Sequence, residues 1–577
     1  MPFRPALLSN RSAAALIEGL EVVWFAAPRF DSPPIFAKVL DEERGGSWSL
    51  ELGKIIERRY LDNAPILITR VRTSSGEAAV QDIIPLGLPA LMRTIDAPEG
   101  AEYYFTFRPT VNYGVAEPYF KPTDRGGLYL DPLGKDAVEL LILRGRCFGE
   151  SPNRWYCEGP AKLMAIYLRS AELSIALNKD RAPVYSDLEA AADKTLEYWR
   201  SLLASRSPAA KPGDWLYERS AVVLLSLQHA ISGGVVAAPT TSLPEVVGGP
   251  RNWDYRFVWV RDASIAASAL ASAGFVEEAA RVVEFLTKVI SPTGKPFDYT
   301  VYSVDGSPPV FEQELPWLKG FRGSSPVRAG NAATTQIQLD LEGWYMAALY
   351  DVYRAGAGRA FAERNWWAVE LCADWCGKAY ALPDYGIWED RAGPRHYVHS
   401  KAMLWVCLDR AARLAEALGR REESGEWRGR AEEVKAYVLK NQPEAFTQAF
   451  DGGGPDGALL ALPVYGFVDA RDPRLERTLA EVERKLRRGP FVLRYEKDSI
   501  GPAVHPFLLV SEWLGIVYAL RGERGKAEEV LEAVRRCAGD IGLLGEHVDV
   551  ETCEPRGNYP HAFSHAGYIL LYDALRT

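Results

Sequence analysis

The hydrophobic pattern of this 577-residue chain changes character once, near Tyr185, and that change limits the folds open to it. Before it, short runs rich in aliphatic and aromatic residues occur at 20–26, 64–71, 102–107 and 138–143. Turn signals such as Ser32-Pro33-Pro34, Gly45-Gly46 and Asp124-Arg125-Gly126-Gly127 separate them. Many short strands with no helical pattern between them predict an antiparallel β-sandwich. After the change nearly everything carries a helical period. Residues 187–204 read as an amphipathic helix and 205–213 as a connection. About twelve further helical patterns follow, from 215–232 to 561–574, in short hairpins alternating with longer loops. Twelve helices in antiparallel pairs close into a double ring, an (α/α)6 barrel. The long loops at 239–261, 291–333, 379–398 and 538–560 would gather at one end, and loops of that length are uncommon without a function. The chain also exceeds the size of a single core. The predicted organisation is a β-sandwich over 1–184, a linker helix and connection over 185–213, and a barrel over 214–577.

A net charge of −9 disfavours nucleic acid or an anionic membrane as partner, since both select a basic face. No window holds the roughly 18 consecutive apolar residues of a membrane helix, and the first twenty residues lack the pattern of a signal peptide, so a cytoplasmic location is expected. Seven cysteines, an odd number with no CxxC pair, read as a reduced set. Oligomeric state is not legible.

Chemistry concentrates in three stretches. Residues 383–391, PDYGIWEDR, place Glu389 after Trp388 and just beyond Gly386. A carboxylic acid against an indole, on a loop between helices, is where desolvation raises a pKa. Glu546, in LLGEHVD, lies in another long loop before the last helix. Glycoside hydrolysis needs such a pair: one carboxyl protonates the leaving oxygen while a second acts from the opposite face of the sugar. The third stretch, 249–262, interleaves Trp253, Tyr255, Trp259, Arg261 and Asp262. Aromatics stack on the CH faces of sugars, and charged groups bind their hydroxyls. Asp262 also suits a first-turn helix acid. His396/His399 and His561/His565 lack a third ligand, so hydrogen-bonding roles are expected and no metal or cofactor is predicted. Gly452-Gly453-Gly454-Pro455-Asp456-Gly457 lacks the ending of a phosphate loop.

Together, GGPRNWDYRFVWVRDAS, GIWEDRAGPRHYVHSKAMLWV and LLGEHVD followed by GNYPHAFSHAGYI resemble glycoside hydrolase family 15, the glucoamylase-like family in its prokaryotic form, which includes trehalases. The segments at 28–48, 235–245 and 323–340 resemble it as well, so the likeness covers nearly the whole chain. The resemblance implies Glu389 as general acid and Glu546 as general base of an inverting mechanism. It implies Arg261 and Asp262 as the clamp on the terminal glucosyl unit, with Trp253, Trp259 and Trp388 lining the pocket and Asp390 as a further substrate contact. Inversion predicts carboxyls roughly 6.5–9.5 Å apart, and an acid protonated near neutrality predicts Glu389 more desolvated than Glu546, with Trp388 as the cause. The expected activity is an exo-acting α-glucosidase of the glucoamylase type releasing β-glucose, with trehalase as the alternative. Selectivity is expected in the 291–333 and 391–398 loops. A disaccharide phosphorylase is disfavoured because Glu546 stands in the family's base context.

Overall fold

The computed structural model describes residues 3–134, 136–169 and 188–576. The boundary expected at 184–185 lies outside the described residues, as does Asp187; the helix predicted there runs over Leu188–Ala204 (α1).

Between Ala6 and Leu168 fourteen described strands form one antiparallel sheet. The long strand Arg154–Leu168 shows how one sheet makes two layers. Along one edge it pairs with Ala137–Ser151 from end to end, interrupted by register shifts such as the one between Glu158 and Lys162. Along the other it pairs with Glu102–Arg108 as far as Glu158, and with Ala90–Asp96 from Ala161 onward. The change of partner falls at Gly159-Pro160, where glycine takes φ +65° and proline offers no N–H to a ladder. Alternation then fills the interior: Tyr103, Phe105 and Phe107 are buried while Glu102 faces solvent.

Four cysteines are bonded, which corrects the reading of a wholly reduced set. Cys147 and Cys157 lie directly opposite each other in the sheet register, and Cys537 joins Cys553. Cys372, Cys376 and Cys407 are free and buried, as core residues.

The helical part opens with α2 (Trp215–Leu227), α3 (Val260–Ser272) and α4 (Val276–Lys288). It continues with α5 (Leu341–Val352), α6 (Gly358–Arg364), α7 (Trp366–Ala379), α8 (Val398–Ala417) and α9 (Arg421–Asn441). It closes with α10 (Ala461–Val464), α11 (Pro473–Lys485), α12 (Leu508–Leu520), α13 (Arg524–Cys537) and α14 (Ala562–Ala574). Packing runs α3–α5–α8–α10–α12–α14 and back to α3, a closed inner ring. The outer layer is α2, α4, α7, α9, α11 and α13. Composition explains the sorting. The α12 sequence LLVSEWLGIVYAL is buried on nearly every side, as a helix between two layers must be, whereas α11, PRLERTLAEVERK, buries one stripe. Gly343 lets α5 meet α8: a Cβ there would stand 2.2 Å from the Met403 carbonyl oxygen. The pattern at 457–466 is shorter than expected, a 3-10 turn running into α10 with Pro463 inside it, and Asp456 caps the turn through Ala458 N–H.

Every inner helix is entered from a long connection, and the five that precede α14 are each left by a shorter one. The inner helices therefore run in one direction, and their N-termini, with the long loops, share one end of the barrel. The sheet packs on the barrel through one continuous apolar core, and Arg11 reaches across to Glu278 at 2.5 Å. No described helix is long and apolar enough to cross a membrane.

Candidate active site

At the loop end lies a cavity open to solvent. All eight residues singled out from the sequence line it: Trp253, Trp259, Arg261, Asp262, Trp388, Glu389, Asp390 and Glu546.

The stretch at 249–262 works by alternation. In extended backbone successive side chains face opposite ways. Asp254 and Arg256 turn away from the cavity and pair at 2.6 Å, and Arg256 also donates to the Ser32 carbonyl and the Tyr113 hydroxyl, both in loops between the strands of the sheet. Trp253 and Tyr255 turn inward. Helix α3 then begins, and Arg261 and Asp262 fall in its first turn. Trp259 stands at the N-cap, so Asp262 is a first-turn acid and not the capping residue. Its carboxylate accepts from Arg261 Nε at 3.0 Å, and burial, opposed by Arg261, moves its pKa up to about 6.

Glu389 sits at φ +61°, a left-handed conformation that a non-glycine residue holds only when its surroundings enforce it. The enforcement is visible. Arg261 Nη1 donates to the Ile387 carbonyl at 2.9 Å, Gln336 donates to the Glu389 carbonyl at 3.2 Å, and Trp259 Nε1 donates to Glu389 Oε1 at 2.8 Å. Arg261 Nη1 stands 3.6 Å from the same carboxylate oxygen.

Glu546 accepts from the Tyr255 hydroxyl at 2.8 Å, and the Tyr255 ring meets Trp259 edge-on at 5.4 Å. One aromatic pair thus holds both carboxylates. The backbone carrying Glu546 is fastened to the start of α14: Leu544 N–H donates to His565 Nε2 at 3.0 Å, and Ser564 Oγ donates to the Gly545 carbonyl.

The expected difference in desolvation is reversed. Glu546 is 2% exposed, whereas the Glu389 side chain retains 22% exposure. Burial first, then the charge of neighbouring Glu245, raises the Glu546 pKa. Trp388 does not hold the Glu389 carboxyl. Its indole donates to Asp456 at 2.7 Å and its ring packs on Phe507; the indole on Glu389 belongs to Trp259. Adjacency in sequence misled here, because consecutive side chains on a turn point apart.

Sequence reasoning missed Glu245 and Arg494. Burial opposes ionisation of Glu245, but Arg494 at 2.6 Å and Arg251 at 3.6 Å outweigh it and keep its pKa low. Glu245 also accepts from Trp253 Nε1 at 3.3 Å. Glu245, Glu546 and His547 bring donor atoms within 4.8 Å of one another, the spacing of a metal ligand set. The Arg494 guanidinium is bonded to Glu245 at 2.6 Å, so Glu245 is a charge-compensated acid. Glu245 had a signal, its place in the family-like segment at 235–245, while Arg494 had none.

Trp253 carries the guanidinium groups of Arg328 and Arg391, each 4.5 Å from a ring centroid. Asp390 accepts from Ser499 Oγ at 2.6 Å.

A family model described as glycosyl hydrolases family 15 matches residues 213–525, and one described as trehalase-like, N-terminal, matches residues 3–130. Trehalase 2 of Sulfolobus acidocaldarius is 41% identical over 574 residues, spanning 98% of each chain. Trehalase 1 of the same organism is 37% identical, spanning 99% of this chain and 98% of that one. The fold matches a bacterial glucoamylase solved with acarbose, with a TM-score of 0.72 at 15% identity over 100% of this chain and 94% of that chain.

Proposed function

The chain belongs to glycosyl hydrolase family 15, and from that premise we propose that it is an inverting trehalase, splitting α,α-trehalose into two glucose molecules. The observation that supports this substrate over the malto-oligosaccharides first expected is the likeness to two trehalases along the full chain, sheet included. Glucoamylase shares the barrel and the glucosyl clamp, so those motifs alone favour neither.

In this reading one glucosyl unit rests on the pocket floor, its hydroxyls held by Arg261 and Asp262. Glu389 gives its proton to the glycosidic oxygen. Glu546, steadied by Tyr255, takes a proton from the water that attacks the anomeric carbon from the opposite face. The old C–O bond breaks as the new one forms. The attacked half becomes β-glucose, the departing half leaves as α-glucose, Glu546 releases its proton to solvent, and solvent returns one to Glu389. Proton NMR of fresh trehalose digests should therefore show both anomers in equal amounts at first. A digest starting as α-glucose alone would rule out inversion.

Burial favours the protonated form of Glu546, which supports a second reading with the two roles exchanged. α-Glucosyl fluoride separates them, because fluoride leaves without a proton donor. Glu389→Gln and Glu546→Gln should each lose roughly 10²–10⁴-fold in trehalose turnover. With the roles proposed, only Glu389→Gln retains hydrolysis of the fluoride. Retention by Glu546→Gln instead would exchange acid and base.

A further inference from the structure

Residues that line the cavity and also face solvent mark its mouth. These are Arg391 and Ile500, with Asp390 and Asp498 half-buried beside them. The loops that supply them are bonded into a ring. Arg391 donates through both Nη atoms to Glu312, at 2.9–3.2 Å. Asp390 accepts from Ser499 at 2.6 Å, and Asp498 accepts from Arg251 at 2.5 Å. The circuit returns through Trp253. Arg328 lies 3.5 Å from Glu312 and donates to the carbonyls of Pro250 and Asn252, at 2.9 and 3.2 Å, and its guanidinium shares the Trp253 ring with that of Arg391.

Glu312 is the node of this ring. Its side chain is only 14% exposed although it lies at the rim, and it balances two guanidinium groups. An isolated exposed ion pair would contribute little, but a bidentate carboxylate inside a network holds its geometry. The ring begins one residue after Glu389, so the segment that carries this carboxylate also forms the rim.

We propose that this ring is a collar that admits one sugar beyond the glucosyl unit on the floor, with Glu312 as the specificity-determining residue that keeps it closed. The proposal rests on the glycoside hydrolase reading of the pocket. A disaccharide ends inside such a collar. A disaccharide needs the collar to part only while it enters. A longer chain stands in the opening throughout its turnover, so Glu312 and Arg391 would have to stay apart for as long as it is bound.

The test compares kcat/KM for trehalose, maltose, maltotriose and maltohexaose, with α-glucosyl fluoride as a control that places no sugar at the mouth. Glu312→Ala and Arg391→Ala should raise the maltohexaose-to-maltose ratio about tenfold or more, with Glu312→Gln intermediate, the scale expected for losing one specificity contact. Fluoride hydrolysis should change by less than about threefold, because its transition state does not reach the collar. An unchanged ratio, or equal losses on every substrate including the fluoride, would reduce the ring to a structural brace and overturn the proposal. A wild-type preference for maltohexaose over maltose would overturn it as well. If the wild type left trehalose intact, the trehalase reading alone would fall, since the ratio is read on malto-oligosaccharides.

Discussion

At the scale of single residues, the two carboxylates live in different electrical surroundings. Glu389 faces Arg261 and an indole N–H, while Glu546 is buried beside a second carboxylate. The groups that bear on Glu546 are Glu245, Arg494, Tyr255 and Asp262, with His547 at 3.6 Å. Removing the Glu245 charge lowers the Glu546 pKa, and the Arg494 charge then left uncompensated acts in the same direction. If Glu546 is the base, the acid limb of kcat/KM follows its ionisation, so Glu245→Gln should move that limb to lower pH, by about one unit. A pH profile with the limb unmoved would break the link between Glu245 and the base.

At the scale of elements, the short connections and the glycines decide how closely the rings nest. Gly343 faces the Met403 carbonyl, where a methyl group cannot fit without moving α5 from α8. Gly343→Ala should therefore destabilise the protein by about 1–3 kcal/mol, an overpacking penalty, although alanine is the better helix former. Denaturant unfolding reads this directly, and a stabilised variant would show that the two helices are not in contact there. Elements were also the most legible level in the chain. The strand at Glu102–Arg108 and helices such as α11 and α13 follow from apolar spacing alone. The helix at Ala461–Val464 is shorter than its pattern because Pro463 and the Asp456 cap act locally against the period. The disulfides escaped notice because each joins positions that only strand register or loop closure makes neighbours.

At the scale of the whole molecule, burial in the barrel interior shifts ionisable groups toward their neutral forms. Burial raises Glu342 to about 7 and Asp384 and Asp456 to about 6, and holds Glu512 well above its ordinary value. Burial lowers His399, His547 and His565 to about 3. The two sets act with opposite signs. A carboxyl with a raised folded pKa contributes stability below its unfolded value, and that contribution disappears as pH rises through the folded one. For a buried neutral histidine the unfolded chain binds more protons, so stability is lost as pH falls below about 6.5. Thermal unfolding should therefore show its highest midpoint at roughly pH 4.5–6.5, falling by several degrees on either side. Glu342→Gln should flatten the alkaline wing. A midpoint that rises steadily to pH 8 would mean that these carboxyls are solvated in the folded protein.

Taken alone, the sequence determined the order of β structure and helices, the existence of the long loops, and the motif residues Arg261, Asp262, Glu389 and Glu546. These are local properties, carried by spacing and by contiguous segments. Tertiary structure decided the partners: Trp259 rather than Trp388 on Glu389, Glu245 with Arg494 behind Glu546, and Glu312 across from Arg391. Arg494 lies 249 residues from Glu245, and Glu312 lies 79 from Arg391. No short-range pattern encodes such meetings. They follow from a closed ring of helices that brings distant loops to one end, where burial and charge then set what each carboxyl does.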